Sequence, residues 1–368
     1  MQQPYKYKLF KLLRFPVLVT TLPLIVLSCG GQTDPLEDTI TDMVAKIQTE
    51  TDPHFIYEYE QSKFVPPPGK TLLIMGQTLE DINDYKANFS DQPIPGGWSA
   101  YCGIPEFRGV TDTYQNENGS SHNHQSLVDQ FPNTVIQSGM WMVGTWDVAK
   151  KTIGGHYDQV IRQYSDWAKS VDRPIYLRIG YEFDGPHNEL EPRDYVKAYR
   201  HVVDLMREEG VENVAFVWHS YIFEPYQGNS LESYYPGDDY VDWVGISCFG
   251  LLYQDAELLY HGDAVMEFAK AHKKPVMVAE ASPTSGINST SISVWNTWFV
   301  NFFSICYEKN IKAISFINAN WEDYNFPGVS WKDARLSNNE WVSGAWFRET
   351  NQDHYLKQSP DLFRQLGY

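Results

Sequence analysis

Two glutamates, each closing a short apolar run, are the residues of this chain best placed to do chemistry. Glu182 lies in residues 174–188, PIYLRIGYEFDGPHN, and Glu280 in residues 274–283, KPVMVAEASP. The first run also carries Arg178. A buried segment holding an arginine and a glutamate must satisfy both, because an unpaired buried ion costs several kcal/mol or more. A structural Arg–Glu pair at a strand end meets that need, and so does a reactive site. The second run adds weight to the reactive site: two buried strands about a hundred residues apart, each ending in one glutamate, put two carboxylates across one pocket. Two carboxylates around a glycosidic oxygen are what glycoside hydrolysis needs.

The elements that must position them follow from periodicity. From residue 70 onward, strand-like and helix-like segments alternate. The spacing predicts strands at 71–76, 98–103, 134–140, 175–180, 213–218, 243–249, 275–279 and 313–317. Helices are predicted at 156–170, 192–209, 262–271 and 291–309, and Glu191-Pro192-Arg193-Asp194 reads as a helix start. Eight strands alternating with helices predict a (β/α)8 TIM barrel, a single catalytic domain over 69–368. A doubly wound open sheet is the alternative, but no glycine-rich phosphate loop follows its first strand. In a barrel the strand C-termini share one face, so Gln77, Pro105, Trp141, Glu182, Trp218, Phe249, Glu280 and Asn318 should ring one cleft. The two glutamates then come from strands four and seven.

Residues 1–28 read as a lipoprotein signal peptide. Lys6, Lys8, Lys11 and Arg14 precede an apolar stretch too short to span a bilayer, and Leu27-Ser28-Cys29-Gly30 resembles a cleavage box with Cys29 as the lipidated residue. The rival is an uncleaved anchor. Residues 29–68, rich in Asp, Glu, Thr and Gln and closing on Pro66-Pro67-Pro68, read as a tether, with a short helix possible at 39–48. The expectation is therefore a domain lipid-anchored to a bacterial membrane, in the cell envelope or at the cell surface. Loss of the leader removes four positive charges and no negative ones from a net −18, leaving −22. Such a surface repels phosphate backbones, so no nucleic-acid partner is expected and a neutral polysaccharide or oligosaccharide is the easier substrate. A monomer is expected.

Beyond Cys29 there remain Cys102, Cys248 and Cys306, without metal-ligand spacing; they read as buried small hydrophobes with at most one disulfide. His122 and His124 read as a solvated loop, with a metal-binding pair as the alternative. No metal or other cofactor is expected. Aromatic residues make up 15% of the chain, and many of them, Trp98, Tyr101, Trp146, Trp331, Trp341 and Trp346, fall in loops on the predicted cleft side, where some are expected to stack on sugars and about half to pack the fold. Tyr324, Phe326 and Trp331 follow strand eight in a loop that could wall one end of the cleft.

Five motifs, in order, resemble glycoside hydrolase family 26: GQTLEDINDY at 76–85, YLRIGYEFDGPHN at 176–188, YYPGDDYVDWVGIS at 234–247, KPVMVAEASP at 274–283 and INANWEDY at 317–324. The family belongs to a clan of retaining (β/α)8 glycosidases, and the pattern is most similar to bacterial endo-β-1,3-xylanases. The resemblance implies that Glu182 is the general acid/base and Glu280 the nucleophile, with Arg178 beneath the site and Tyr181 beside it. A histidine stands before the acid/base in mannanase-like members. Trp218 and Trp321 match positions that support a sugar, with ordinary core as the other reading. Gln77, Trp141, His187, Asn188, His219 and Phe249 complete the expected substrate-binding set. One departure stands out: where the family's strand six supplies a tyrosine to the nucleophile, this chain has Cys248, a weak donor. Tyr253 or Ser247 then takes over, or the nucleophile is held less well.

The implied reaction is a double displacement on a β-linked polysaccharide of plant or algal cell walls. β-1,3-xylan comes first, with β-mannan and β-glucan as alternatives within the family. A non-catalytic surface carbohydrate-binding lipoprotein is the alternative from another class.

Overall fold

The computed structural model describes residues 59, 62–142, 147–222, 226–249, 256–324 and 330–368. Among them, eight parallel strands close into a barrel: β1 Thr71–Gly76, β2 Gly97–Gly103, β3 Val135–Trp141, β4 Ile175–Ile179, β5 Val214–Ser220, β6 Trp243–Phe249, β7 Val276–Ser282 and β8 Ala313–Ile317. Each pairs with the next, and β8 pairs back onto β1 with Leu72 opposite Ala313 and Gly76 opposite Ile317. Closure leaves no free edge. The predicted eight-strand barrel is the observed one.

Each strand alternates between two environments because successive side chains point to opposite faces. Outward residues such as Leu177, Phe216, Trp218, Val244, Cys248 and Phe316 join the helices in one large core. Inward residues near the strand starts, including Leu72, Val135, Tyr176, Trp243 and Met277, fill the barrel floor. Fully burying a side chain of this size contributes about 2–3 kcal/mol. At the strand ends the inward set turns polar: Tyr101, Arg178, His219, Ser247 and Glu280 occupy the mouth.

Most of the outer layer is formed by α1 Leu79–Asn88, α2 His124–Gln130, α3 Val148–Ile153, α4 Asp158–Val171, α5 Pro192–Glu208, α6 Ala256–Ala271, α7 Val300–Glu308 and α8 Glu340–Thr350. Thr78 and Asp81 cap α1 reciprocally, and Pro192 opens α5 where a missing N–H costs nothing. The predicted helix at 291–309 starts at residue 293 and passes through a π-helical turn, Trp295–Phe299, into α7.

The N-terminal boundary shifts. The leader and most of the tether lie outside the described residues, but the tether's expected end belongs to the barrel floor. Phe64 is buried, its carbonyl accepts the Tyr176 hydroxyl at 2.6 Å, and Trp243 Nε1 donates to Lys63 O at 2.8 Å.

Candidate active site

Glu280 reaches the mouth through a break in alternation. Along β7, Met277 and Ala279 face inward. Ile246 of β6 pairs with Val278, but Ser247 pairs with Glu280, so one residue of β7 is bulged. A bulge resets the side-chain parity, and Glu280 turns into the barrel while Ala281 joins the outer core. There its Oε1 takes hydrogen bonds from Arg178 Nη1 and from the Tyr101 hydroxyl. Among the described residues, no such bond is directed to Oε2.

Arg178 is fully buried, with the Tyr101 and Tyr181 rings at 4.9 and 5.3 Å from its guanidinium. Desolvated cation–π contacts of this kind are worth about 2 kcal/mol. Burial works against the Arg178 charge, but Tyr101 and Glu280 overcome it and hold its pKa above the ordinary arginine value. Burial also pushes the Glu280 carboxyl up, against Arg178 and with the help of Glu182. The room for this packing comes from Gly139 on β3, where a Cβ would sit 2.6 Å from the Tyr101 ring and 2.8 Å from Arg178 Nη2.

Glu182 arrives differently, two residues beyond Gly180 in a turn where both have positive φ, 53° and 57°. Ser247 Oγ donates to its Oε1 at 2.5 Å, and His187 Nε2 lies 2.8 Å from its Oε2. The turn is clamped from three sides. Asn188 Nδ2 donates to the carbonyls of Tyr181 and Glu182 at 3.0 and 2.9 Å. Asp184 accepts from Ser220 Oγ and Tyr221 N, both at 2.6 Å, and Phe183 stacks on Trp218 at 4.4 Å.

The structure brings together Glu182, Glu280, Arg178, Tyr181, Gln77, His187 and His219, and it reassigns several expected roles. Cys248 faces away from the mouth into the outer core, where burial pushes its thiol up to about 12; among the described residues it makes no hydrogen bond to the site. Ser247 holds Glu182 rather than Glu280, and Tyr253 lies outside the described residues. The hydroxyl that donates to Glu280 beside Arg178 belongs to Tyr101 of β2, whose buried phenol stays protonated because burial raises it well above its ordinary value. Its oxygen also lies 2.7 Å from Gln77 Oε1; with the one phenol proton given to Glu280, Gln77 braces this tyrosine by turning its amide so that Nε2 donates to the phenol oxygen.

Trp218 is core and not a platform: it is fully buried, and its Nε1 donates to Tyr234 O at 3.1 Å. The reason is parity, since Val217 and His219 face inward and the residue between them must face out. His219 is fully buried and Asn188 serves the turn, so both support the site from within. Trp141 is half-buried at the end of β3. Trp321 donates to Ser282 Oγ at 2.9 Å and packs with Phe249 and Trp331 beside the strand that carries Glu280.

His122 and His124 are buried, not solvated: His124 lies 2.6 Å from Gly109 O and 2.9 Å from Ser138 Oγ, and the His122 ring packs on Tyr101. Cys102, Cys248 and Cys306 are buried free thiols. Among the expected platforms, Trp98 and Trp346 are core and Trp341 is partly exposed, while Trp146 and Phe326 lie outside the described residues. Alternation along β2 (Gly97, Ser99, Tyr101 inward) was the available signal for Tyr101.

Comparison with known proteins agrees with this architecture. Residues 97–326 match the model of Glycosyl hydrolase family 26. The chain is 30% identical to a β-1,3-xylanase TXYA from Vibrio sp over 83% of its length and 70% of the relative's. It is 29% identical to a β-1,3-xylanase from Alcaligenes sp over 83% and 68%. Among solved structures, a GH26 β-mannanase from Bacteroides ovatus superposes with a TM-score of 0.56 at 15% identity, covering 88% of this chain and 96% of that one.

Proposed function

The chain belongs to glycosyl hydrolase family 26, a family of retaining glycoside hydrolases, and from that membership we propose that it cleaves β-1,3-linked xylan with Glu280 as nucleophile and Glu182 as acid/base. The observation that carries the roles is the contrast in partners. Glu280 is tied to a permanent cation and a phenol, which favour a carboxylate. Glu182 is tied to a serine and an imidazole, groups that tolerate a carboxyl in either protonation state.

In the first step Glu280 Oε2 attacks the anomeric carbon while the bond to the glycosidic oxygen breaks. Its electron pair leaves on that oxygen, which takes the proton of Glu182. In the second step Glu182 removes a proton from water, the water oxygen attacks the same carbon, and Glu280 departs as a carboxylate. Two inversions retain the configuration. Arg178 and Tyr101 stabilise the carboxylate as it forms again. The choice of xylan is supported by the β-1,3-xylanases at about 30% identity and by Tyr181 standing before Glu182. Trp331, half-buried and backed by Phe249 and Trp321, supplies the aromatic face against which a sugar would rest.

The reading extends to a lipid on Cys29, supported by the basic, apolar and small-residue order of the leader; labelling with a radioactive fatty acid, lost in Cys29→Ser, tests it. For the substrate, the test is mass spectrometry of products from β-1,3-xylan, β-mannan, mixed-linkage β-glucan and algal galactans. Oligosaccharides from β-1,3-xylan, absent with Glu182→Ala or Glu280→Ala, are expected. Release from another polymer instead would replace the substrate, and release by either variant would remove the assigned roles.

A further inference from the structure

The carboxyl of Glu182 ends a chain of buried side chains that starts at the other glutamate. Arg178 Nη1, which donates to Glu280, also lies 3.4 Å from His219 Nδ1. His219 Nε2 is 3.0 Å from Ser247 Oγ, and Ser247 Oγ is 2.5 Å from Glu182 Oε1. A guanidinium can only donate, and this sets the direction of every bond that follows. His219 Nδ1 accepts, so its proton sits on Nε2 and points at Ser247. The serine oxygen accepts that proton and spends its own on Glu182 Oε1. Burial, with Arg178 and His187 nearby, pushes His219 well below the ordinary histidine value, so the ring keeps a single proton and the direction stands.

An oxygen that already receives the Ser247 proton is the poorer seat for the carboxyl's own. Resting on the assignment of Glu182 as acid/base, we propose that Arg178, His219 and Ser247 steer the catalytic proton of Glu182 onto Oε2, where His187 holds it until the bound sugar displaces the imidazole. These histidines and the serine are positioning residues. His187 suits the task because its side chain is 46% exposed and able to leave, while its ring edge rests on Tyr221 at 4.9 Å. Its return onto Glu182 requires Gly185, since a Cβ there would collide with the His187 ring.

The pair Glu182–His187 shares a proton. Facing the imidazole are Glu182 and Asp184 from its own turn and Glu280 from β7, with Arg178 of β4 and His219 of β5 behind them. Burial works against the imidazolium, but the Glu182 hydrogen bond and these carboxylates outweigh it, so His187 lies above the ordinary histidine value. The imidazole therefore keeps a proton in this contact to higher pH than an isolated histidine would, and the basic limb of the rate profile should depend on His187.

The test measures kcat/KM against pH for the wild-type enzyme, His187→Ala, His187→Gln and Ser247→Ala. The substrates are whichever of β-1,3-xylan, β-mannan and mixed-linkage β-glucan the enzyme hydrolyses fastest, and a dinitrophenyl glycoside of the same sugar, whose leaving group needs no proton. On the polysaccharide both His187 variants should move the basic limb down by about one pH unit, and Ser247→Ala should lower the rate about tenfold. Each loss should be at least several-fold smaller on the dinitrophenyl glycoside. A basic limb in the same place in both His187 variants, or equal losses on the two substrates, would overturn the proposal. Glu182→Ala with azide separates the two levels. Azide rescue on the dinitrophenyl glycoside upholds the acid/base assignment, so a failure at His187 then refutes the proton-holding chain alone. No rescue removes the assignment itself.

Discussion

At Glu280, both hydrogen bonds found among the described residues come from inside the barrel, from a buried arginine and a buried phenol on strands β4 and β2. At Glu182, one comes from inside, from Ser247 of β6, and the other from His187, a half-exposed residue of the same turn. The first carboxylate sits on a strand, re-aimed by a bulge; the second sits on a left-handed turn hung on Asn188, Asp184 and Phe183. The difference suits the roles proposed for the two groups. A nucleophile must keep one charge state and one position; Arg178 favours the carboxylate against the burial that opposes it, and the closed barrel interior fixes the position. An acid/base must exchange a proton twice per turnover, and a turn with an exposed partner leaves room for that.

The comparison breaks most visibly if the two glutamates fail in the same way. Glu280→Ala should reduce kcat/KM by about 10⁴-fold on polysaccharide and dinitrophenyl glycoside alike. Glu182→Ala should lose about 10² to 10⁴-fold on polysaccharide and far less on the activated substrate. Parallel losses on the two substrates in steady-state assays would mean that the roles are not divided as described.

A smaller effect sharpens the Glu280 side. Tyr101→Phe removes one hydrogen bond to a charged group, worth about 1.5–3 kcal/mol, and should lower kcat about 10- to 100-fold with KM little changed. Cys248→Ala should instead leave turnover within about twofold and lower the melting temperature by a few degrees, because it deletes a buried atom from the outer core. If Cys248→Ala proves the more damaging to kcat, the tyrosine of β2 has not replaced the family's strand-six donor.

The smallest effect concerns the clamp under Glu182. Burial raises the Asp184 carboxyl from 3.8 to about 6. Between these values the folded chain binds a proton that the unfolded chain has released, so stability falls as pH rises from about 4 to about 6. Asp184→Asn should flatten that part of the melting profile, by on the order of 1–3 kcal/mol across the window. Identical slopes in the two proteins would show that this aspartate is ionised throughout.

Much of this was legible in the chain. Eight apolar runs at regular intervals could only satisfy their backbone groups as a sheet, and intervening helical periods made that sheet parallel and closed. Glu182 and Glu280 stood out because each is an acid at the end of a run that otherwise excludes charge. Arg178 stood out for the same reason. Trp218 was misread because identity was weighed above parity: between inward Val217 and His219 a tryptophan has no path to the cleft. Cys248 was misread in the same way, since the inward neighbour on β6 is Ser247.

Local pattern by itself determined the barrel, the strands that carry the two carboxylates and the arginine buried beneath them, because side-chain alternation and the cost of burying charge act over a few residues. Only the tertiary structure decided which side chains meet those carboxylates. Tyr101 precedes Glu280 by well over a hundred residues and reaches it because the ring of strands closes. The bulge that turns Glu280 inward exists only in the register of β7 against β6, and Ser247 and His219 become links between the two glutamates only when β5 and β6 lie between β4 and β7.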